Sequence, residues 1–384
     1  MLQRWCVAFT KAERGLIAGA AFLVFTRVFA FSLTTLGFTE YARGLAPDLD
    51  AESASLWAGL ALGSYGVTMA FAQLASGWLS DRVGRRSVLA GGAVLFVAGA
   101  ILCAVADSIS MLVAGRLLAG LGGVSSVALA AVGETVPEER RTRAMAMVGI
   151  PAGLGVFLGF LVGPPLASVV GFSGLFWATA ILGLVAALPA LRPLPAPLPG
   201  PAAPHRSLTA AVLALGLAGF CVNYAMTSVM YDFQSAVLGR LGIGLLAVTL
   251  LVALAIMGGI ARRVDRGAAA GRALAIALAC LAVAAPLFRL TEGLPIVVGA
   301  GILFFAAHAT LSAILPSQVS RLAGRSGGLG HGIQLVIAYL GSAAGGLAAG
   351  RFAPELAPAF ILLAILAGLA AFALLTRLAA HPQP

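Results

Sequence analysis

Charge is scarce in this chain. Only 10% of its 384 residues are Asp, Glu, Lys or Arg and 60% are hydrophobic, whereas a soluble domain carries about 25% charged residues. With a mean hydropathy of +1.02, that shortage excludes a water-soluble globule. Acidic residues are scarcer than basic ones, 14 against 24, giving a net charge of +10. The basic residues sit in short turns between apolar runs, which excludes a nucleic-acid-binding face. The four cysteines, Cys6, Cys103, Cys221 and Cys280, are far apart and lack metal-ligand spacing, so they read as small apolar packers. No nucleotide loop, paired catalytic carboxylates or metal-ligand cluster is present, and the glycine-rich segments lie inside apolar runs. Nothing points to an enzyme or a cofactor.

Long apolar runs are what the chain has instead. A run of about 20 apolar residues spans a bilayer as a helix. Twelve such runs lie near 15–37, 56–78, 88–106, 110–132, 145–168, 172–191, 208–230, 242–260, 272–288, 293–314, 328–349 and 357–377. The chain therefore reads as an all-α integral membrane protein. The N-terminus is basic and then apolar, like a secretory leader, but its first run is too long and no cleavage site follows. It reads as the first span. Between runs six and seven the proline density of Leu191-Arg192-Pro193-Leu194-Pro195-Ala196-Pro197 forbids a regular helix. The domains are thus a six-helix bundle over 1–191, a linker over 192–207 and a second six-helix bundle over 208–384. The halves read as parallel, pseudo-symmetric repeats. Gly258-Gly259-Ile260-Ala261-Arg262-Arg263 follows run eight as a similar basic turn follows run two. Glu40-Tyr41 and Tyr231-Asp232 close runs one and seven.

Charge asymmetry sets the orientation. With the N-terminus inside, eighteen of the 24 Lys and Arg residues fall on the cytoplasmic side. Four (Arg43, Arg240, Arg289 and Arg351) fall outside, and two, Arg27 and Arg116, lie within runs. Positive loops are retained in the cytoplasm, so both termini are expected there.

The turn between runs two and three reads Gly77-Trp78-Leu79-Ser80-Asp81-Arg82-Val83-Gly84-Arg85-Arg86. Gly84 suits a tight turn, and Gly77 permits close helix approach below it. The pattern resembles the signature loop of the major facilitator superfamily: Gly, three residues, Asp, a basic residue, any residue, Gly and two basic residues. Arg116 with Gly120 resembles that family's span-four motif, with Ala119 where Gln is common. Gly155, Gly159, Gly163 and Pro164 resemble its antiporter motif in part, since Ala167-Ser168 replaces the closing glycine pair. Arg140 to Ala146 and Pro316-Ser317-Gln318-Val319-Ser320 fit its drug–proton antiporter branch. The resemblance implies two bundles of six helices. It also implies that Asp81 caps a helix of the other half, for which the eleventh run near Gly327 to Gly330 is the recipient, and that Arg85 pairs with Glu134 at the end of run four. It links Arg116 to proton coupling. Some members of that branch carry a soluble C-terminal domain; this chain ends a few residues after run twelve, and a transporter without that domain is expected.

Other candidates come from the residues alone. A charge within a span faces the bundle interior or a wet cavity. Arg27 shares a helical face with Phe31 and Thr34, a mixture that suits a cavity wall. The alternative is that it bonds backbone carbonyls of a neighbouring span and holds helices together. Asn223, Tyr224, His308 and Gln334 are polar groups within runs, open to a proton or substrate pathway and equally to interhelical hydrogen bonding. Gly155, Gly159 and Gly163 form a close-packing stripe.

The expectation is a proton-coupled exporter of small amphipathic molecules in the bacterial inner membrane, a multidrug-type antiporter working as a monomer. Its partners are a small-molecule substrate, protons and lipid, with no nucleic acid. An organic-anion carrier using Arg27 stays open, because no Asp or Glu lies in the central third of any run. So does a transporter-shaped receptor that moves nothing. The orientation is tested by cysteines engineered near Arg43 and near Arg325. An impermeant reagent added from outside should label only the first, and outside labelling near Arg325 would reverse the topology.

Overall fold

The computed structural model describes residues 9–35, 37–188, 205–231, 239–265, 270–290, 293–323 and 327–351. All regular structure among them is helical. The first half holds α1 (Lys11–Leu33), α2 (Phe38–Gly44), α3 (Ala51–Val83), α4 (Arg85–Ala104), α5 (Ile109–Leu121), α6 (Ser125–Thr135) and α7 (Glu138–Ala187). The second holds α8 (His205–Tyr231), α9 (Gly239–Asp265), α10 (Ala270–Leu290), α11 (Leu294–Ala323) and α12 (Gly327–Arg351). Run twelve, most of the proline-rich linker, Asp232 and Cys6 lie outside the described residues.

Lys11–Leu33, Arg85–Ala104, Ile109–Thr135, Glu138–Ala187 and Leu294–Leu322 are each long and apolar enough to cross a membrane. Phe71, Val94, Val169, Leu184, Leu251 and Ile276 are exposed on the outside of the molecule. Such an outward apolar belt belongs in hydrocarbon. Each half also has its own core, around Ile17, Val127, Val132 and Met145 in the first and Leu274, Leu278, Phe304 and Leu311 in the second.

Local chemistry sets the helix ends. Thr10 caps α1 through a capping box: its hydroxyl accepts the Glu13 N–H at 3.2 Å, and the Glu13 carboxylate accepts the Thr10 N–H at 2.7 Å. Asp50 caps α3 by accepting the N–H groups of Glu52 and Ser53. The Ser53 backbone and hydroxyl bonds hold its carboxyl below the usual carboxylate range. Two turns need a backbone that side-chain-bearing residues avoid. Gly84, at φ 94°, reverses the chain between α3 and α4, and Gly171, at φ 70° and ψ 174°, separates runs five and six inside α7.

Two helices differ from the runs read in the sequence. Run one ends at Leu33, and Glu40 and Tyr41 fall on the separate short helix α2, where the Tyr41 ring stacks 4.8 Å from that of Phe172. Run four breaks into α5 and α6 at Gly122-Gly123-Val124. The break arises where Gly122 meets Phe96 of α4, whose backbone N would lie 2.8 Å from a Cβ there. Backbone groups freed by such a break need partners inside a membrane. The Gln73 Oε1 accepts the Ser126 N–H at 2.8 Å, and the Ser76 hydroxyl donates to the Gly123 carbonyl at 2.9 Å.

The stripe at Gly155, Gly159 and Gly163 lies against α1. A Cβ there would come 2.9 Å from the Phe25 carbonyl oxygen, 2.8 Å from the Leu33 nitrogen and 2.5 Å from the Leu33 carbonyl oxygen, respectively. Small residues at four-residue spacing let the two backbones touch. Pro164 follows inside α7 without ending it. Gly153, on the same helix, faces open space. Gly159→Ala should therefore lower the melting temperature of the purified protein by a cost of about 1–3 kcal/mol. Gly153→Ala should raise it slightly through helix propensity. Equal responses would show that the stripe is not a packing contact.

Candidate functional site

The signature turn meets the other half of the molecule at the α12 N-terminus. The unpaired N–H groups of a first helical turn attract a carboxylate. Asp81 supplies it: its Oδ1 accepts the Gly328 N–H at 3.2 Å and its Oδ2 the Leu329 N–H at 3.0 Å. Close approach is possible because Gly77 and Gly328 face each other. A Cβ on Gly77 would sit 2.8 Å from the Gly328 carbonyl carbon, and one on Gly328 2.6 Å from the Asp81 Oδ1.

Arg85, one turn beyond Asp81, bonds it through Nη1 at 2.6 Å. Its Nη1 also reaches the Ser80 hydroxyl, and its Nη2 pairs with the Glu134 Oε1 while Nε donates to Oε2 at 3.3 Å. The guanidinium thus grips Glu134 as a two-pronged fork. The Arg85, Asp81 and Glu134 side chains keep 13%, 18% and 17% of their surface accessible, enough covering to raise them above an exposed ion pair. Arg82 stacks over the Trp78 ring at 3.8 Å, and Arg86 is exposed at the start of α4.

Further contacts join the halves on this basic face. Arg321 of α11 pairs with Glu138 of α7 at 3.2 Å, and the Ser317 and Thr142 hydroxyls bond at 2.9 Å. His331 is fully buried, its Nε2 bonded to the Ser320 hydroxyl at 2.9 Å, with Gly133 of the first half against that serine. Arg140 ties α7 to Glu13 of α1 at 3.0 Å. Arg140, Thr142, Ser317 and Ser320 lie in the two segments that resemble the antiporter branch, whereas Glu13, Glu138, Arg321 and His331 were not singled out in the sequence. The signals were lone polar residues at helical spacing, such as His331 three positions before Gln334. The second-half turn at Gly258 and Gly259 does not copy the arrangement. Both glycines face open space, and the Arg262 Nε donates back to the Gly258 carbonyl at 3.0 Å.

The two intramembrane arginines lie inside the first half. Arg27 is buried, donates from Nη2 to the Gly92 carbonyl of α4 at 3.2 Å, and stacks 3.9 Å from the Phe96 ring centroid. Both of these contacts are to α4, and the Phe96 ring lines a small cavity with Phe31, Thr34 and Arg116. Arg116 donates from Nε to the Ala61 carbonyl at 3.4 Å. Gly120, one turn on, packs against the Tyr65 carbonyl of α3. In the second half, Asn223 donates to the Gly219 carbonyl at 3.0 Å and accepts the Ser342 hydroxyl at 3.4 Å. Gln334 lies beside Gly219 with its Oε1 unpartnered, so α8 and α12 share a polar seam. The Tyr224 ring stacks on Phe220. His308 lies apart on α11, half-buried.

Two bundles of membrane helices, joined on one face by a carboxylate cap and an arginine fork, define a two-lobed multi-pass membrane protein. Residues 17–346 match the model of the Major Facilitator Superfamily, and the chain belongs to that family, whose members are transporters and not enzymes. It is 38% identical over 124 residues to the inner membrane transport protein YajR of Escherichia coli (strain K12), covering 32% of this chain and 27% of that one. It is 36% identical over 134 residues to the putative multidrug resistance protein MdtD of Klebsiella pneumoniae (strain 342), covering 34% and 28%. The aligned stretches thus span about a third or less of these curated relatives. Among solved structures, the human organic anion transporter MFSD10 (TETRAN) superposes with a TM-score of 0.75 at 21% identity, covering 95% of this chain and all of that one. The proton:xylose symporter XylE superposes at 0.71 and 14% identity, covering 96% and 95%. Both share the fold.

The geometry of Arg27 yields a test. Its carbonyl bond and ring stack both need the flat guanidinium. Arg27→Lys keeps a buried charge and loses both contacts, so it should lower thermal stability at least as much as Arg27→Ala. A fully stable Lys variant would show that the charge alone matters.

Proposed function

We propose that this protein is a secondary transporter working by alternating access, which exports small amphipathic molecules in exchange for protons. It would lie in the bacterial inner membrane with both termini in the cytoplasm, so that the latched face is the cytoplasmic one. The observation that carries the reading is the Asp81 cap on α12. It joins the two halves through removable charges, which suits halves that must separate on that face once per cycle. The names of the relatives, an inner membrane transport protein and a putative multidrug resistance protein, support the substrate class. Proton exchange follows from the family resemblance of the signature loop and of Arg116.

A second reading is an organic-anion carrier. It is supported by the charge of the first-half interior, where Arg27 and Arg116 each donate a hydrogen bond to a backbone carbonyl and form no ion pair among the described residues. Flux into reconstituted vesicles with an imposed pH gradient separates the two. Proton-driven exchange of amphipathic cations or neutral molecules fits the first, and gradient-independent anion flux fits the second.

Asp81→Asn removes a charge-assisted bond pair worth about 2–3 kcal/mol. That is on the order of a hundredfold shift in the population of the latched state. Transport should fall at unchanged expression, and cysteines on the latched face should become more reactive. Wild-type flux in Asp81→Asn would sink the latch.

A further inference from the structure

A small cavity inside the first-half bundle plays no part in the latch. It is enclosed by α1, α3, α4, α5 and the second part of α7, and its polar lining is Thr34, Tyr65, Cys103, Arg116 and Thr179. Its free volume of about 20 Å³ accommodates one water or one monoatomic ion.

The lining is unbalanced in charge and in hydrogen bonds. Arg116 is 4% exposed and Thr179 5%. The Arg116 Nη2 and the Thr179 hydroxyl have no partner. The Tyr65, Phe38 and Phe31 rings surround the Arg116 guanidinium at 4.8, 5.0 and 5.7 Å. They attract a cation but leave its Nη2 without a hydrogen-bond acceptor. A second guanidinium, that of Arg27, lies against the Phe96 ring, which itself lines the cavity. Tyr65 is within electrostatic reach of both arginines. Among the described residues no carboxylate lines the cavity or pairs with either arginine. Arginine keeps its proton, so positive charge persists in a low-dielectric interior where an unpaired ion is costly. Water filling the space would satisfy hydrogen bonds and leave the charge.

We infer that this cavity is a binding site for a halide-sized inorganic anion, held by the Arg116 Nη2 and the Thr179 hydroxyl. The anion neutralises the bundle interior and receives the unspent donors. The inference is independent of the transport reading, because it concerns the resting protein and not its cargo.

The test uses the purified full chain in detergent, with thermal unfolding followed as sodium chloride replaces sodium gluconate at constant ionic strength. The melting temperature should rise saturably with chloride, and bromide should substitute. In Arg116→Met and in Thr179→Val the midpoint concentration should increase, by at least about tenfold for the arginine, as expected for loss of a hydrogen bond to a charged group. Identical melting curves in chloride and gluconate would overturn the inference. So would a chloride response undiminished in both variants, since the stabilising ion would then sit elsewhere. If Arg116→Met does not fold, Thr179→Val, which removes one hydroxyl at constant volume, decides the matter. A raised midpoint supports the site, and an unchanged one overturns it.

Discussion

The contact between the Asp81 carboxylate and the first turn of α12 is the constraint on which the arrangement of the two halves depends. A helix N-terminus presents unpaired N–H groups and a partial positive charge, and a carboxylate from the opposite bundle satisfies both. Arg85 then does two things at once. It neutralises the carboxylate that it helps to position, and it anchors the turn to Glu134 at the end of α6. The three charges are covered enough to attract one another strongly and are near enough to solvent to separate. A deeply buried triad would be costly to break, and an exposed one would hold nothing.

That contact forms only because backbones can approach. Gly77 and Gly328 remove the side chains that would stand between the signature turn and α12. The same device recurs within the first bundle, where Gly155, Gly159 and Gly163 admit α1. Lipid gives little hydrophobic drive for helix association, so packing by small residues does much of that work. The break between α5 and α6 shows the complementary requirement. Where the helix opens, Gln73 and Ser76 meet the freed backbone groups, as membrane depth demands.

The interior of the first bundle is electrostatically unusual. Arg27 finds a carbonyl and a ring face. Arg116 finds one carbonyl and three rings, and it keeps one nitrogen unpartnered beside a cavity. In a medium where opposite charges attract strongly, this asymmetry draws an anion in a way that the second half, with its neutral Asn223 and Gln334 seam, does not.

The sequence by itself determined the membrane class, the helical architecture and the positions of eleven runs that the described helices follow, because hydrocarbon admits only long apolar segments with internally bonded backbones. It also made the turn at Gly84 and the glycine stripe on α7 legible, since those depend on local conformation and spacing. The trio of Asp81, Arg85 and Glu134 was legible through family resemblance and not through spacing, because its members lie up to 53 positions apart and the cap's recipient lies in the other half. Only the tertiary structure decided where Arg27 points. The sequence left a cavity wall and a bond to a neighbouring span's carbonyl both open for it, since a long side chain can swing to either neighbour, and the structure gives it a carbonyl and a ring on α4. The partners of Glu138, Thr142 and His331, and the split of run four, were likewise settled by packing between segments distant in the chain, which no local pattern encodes.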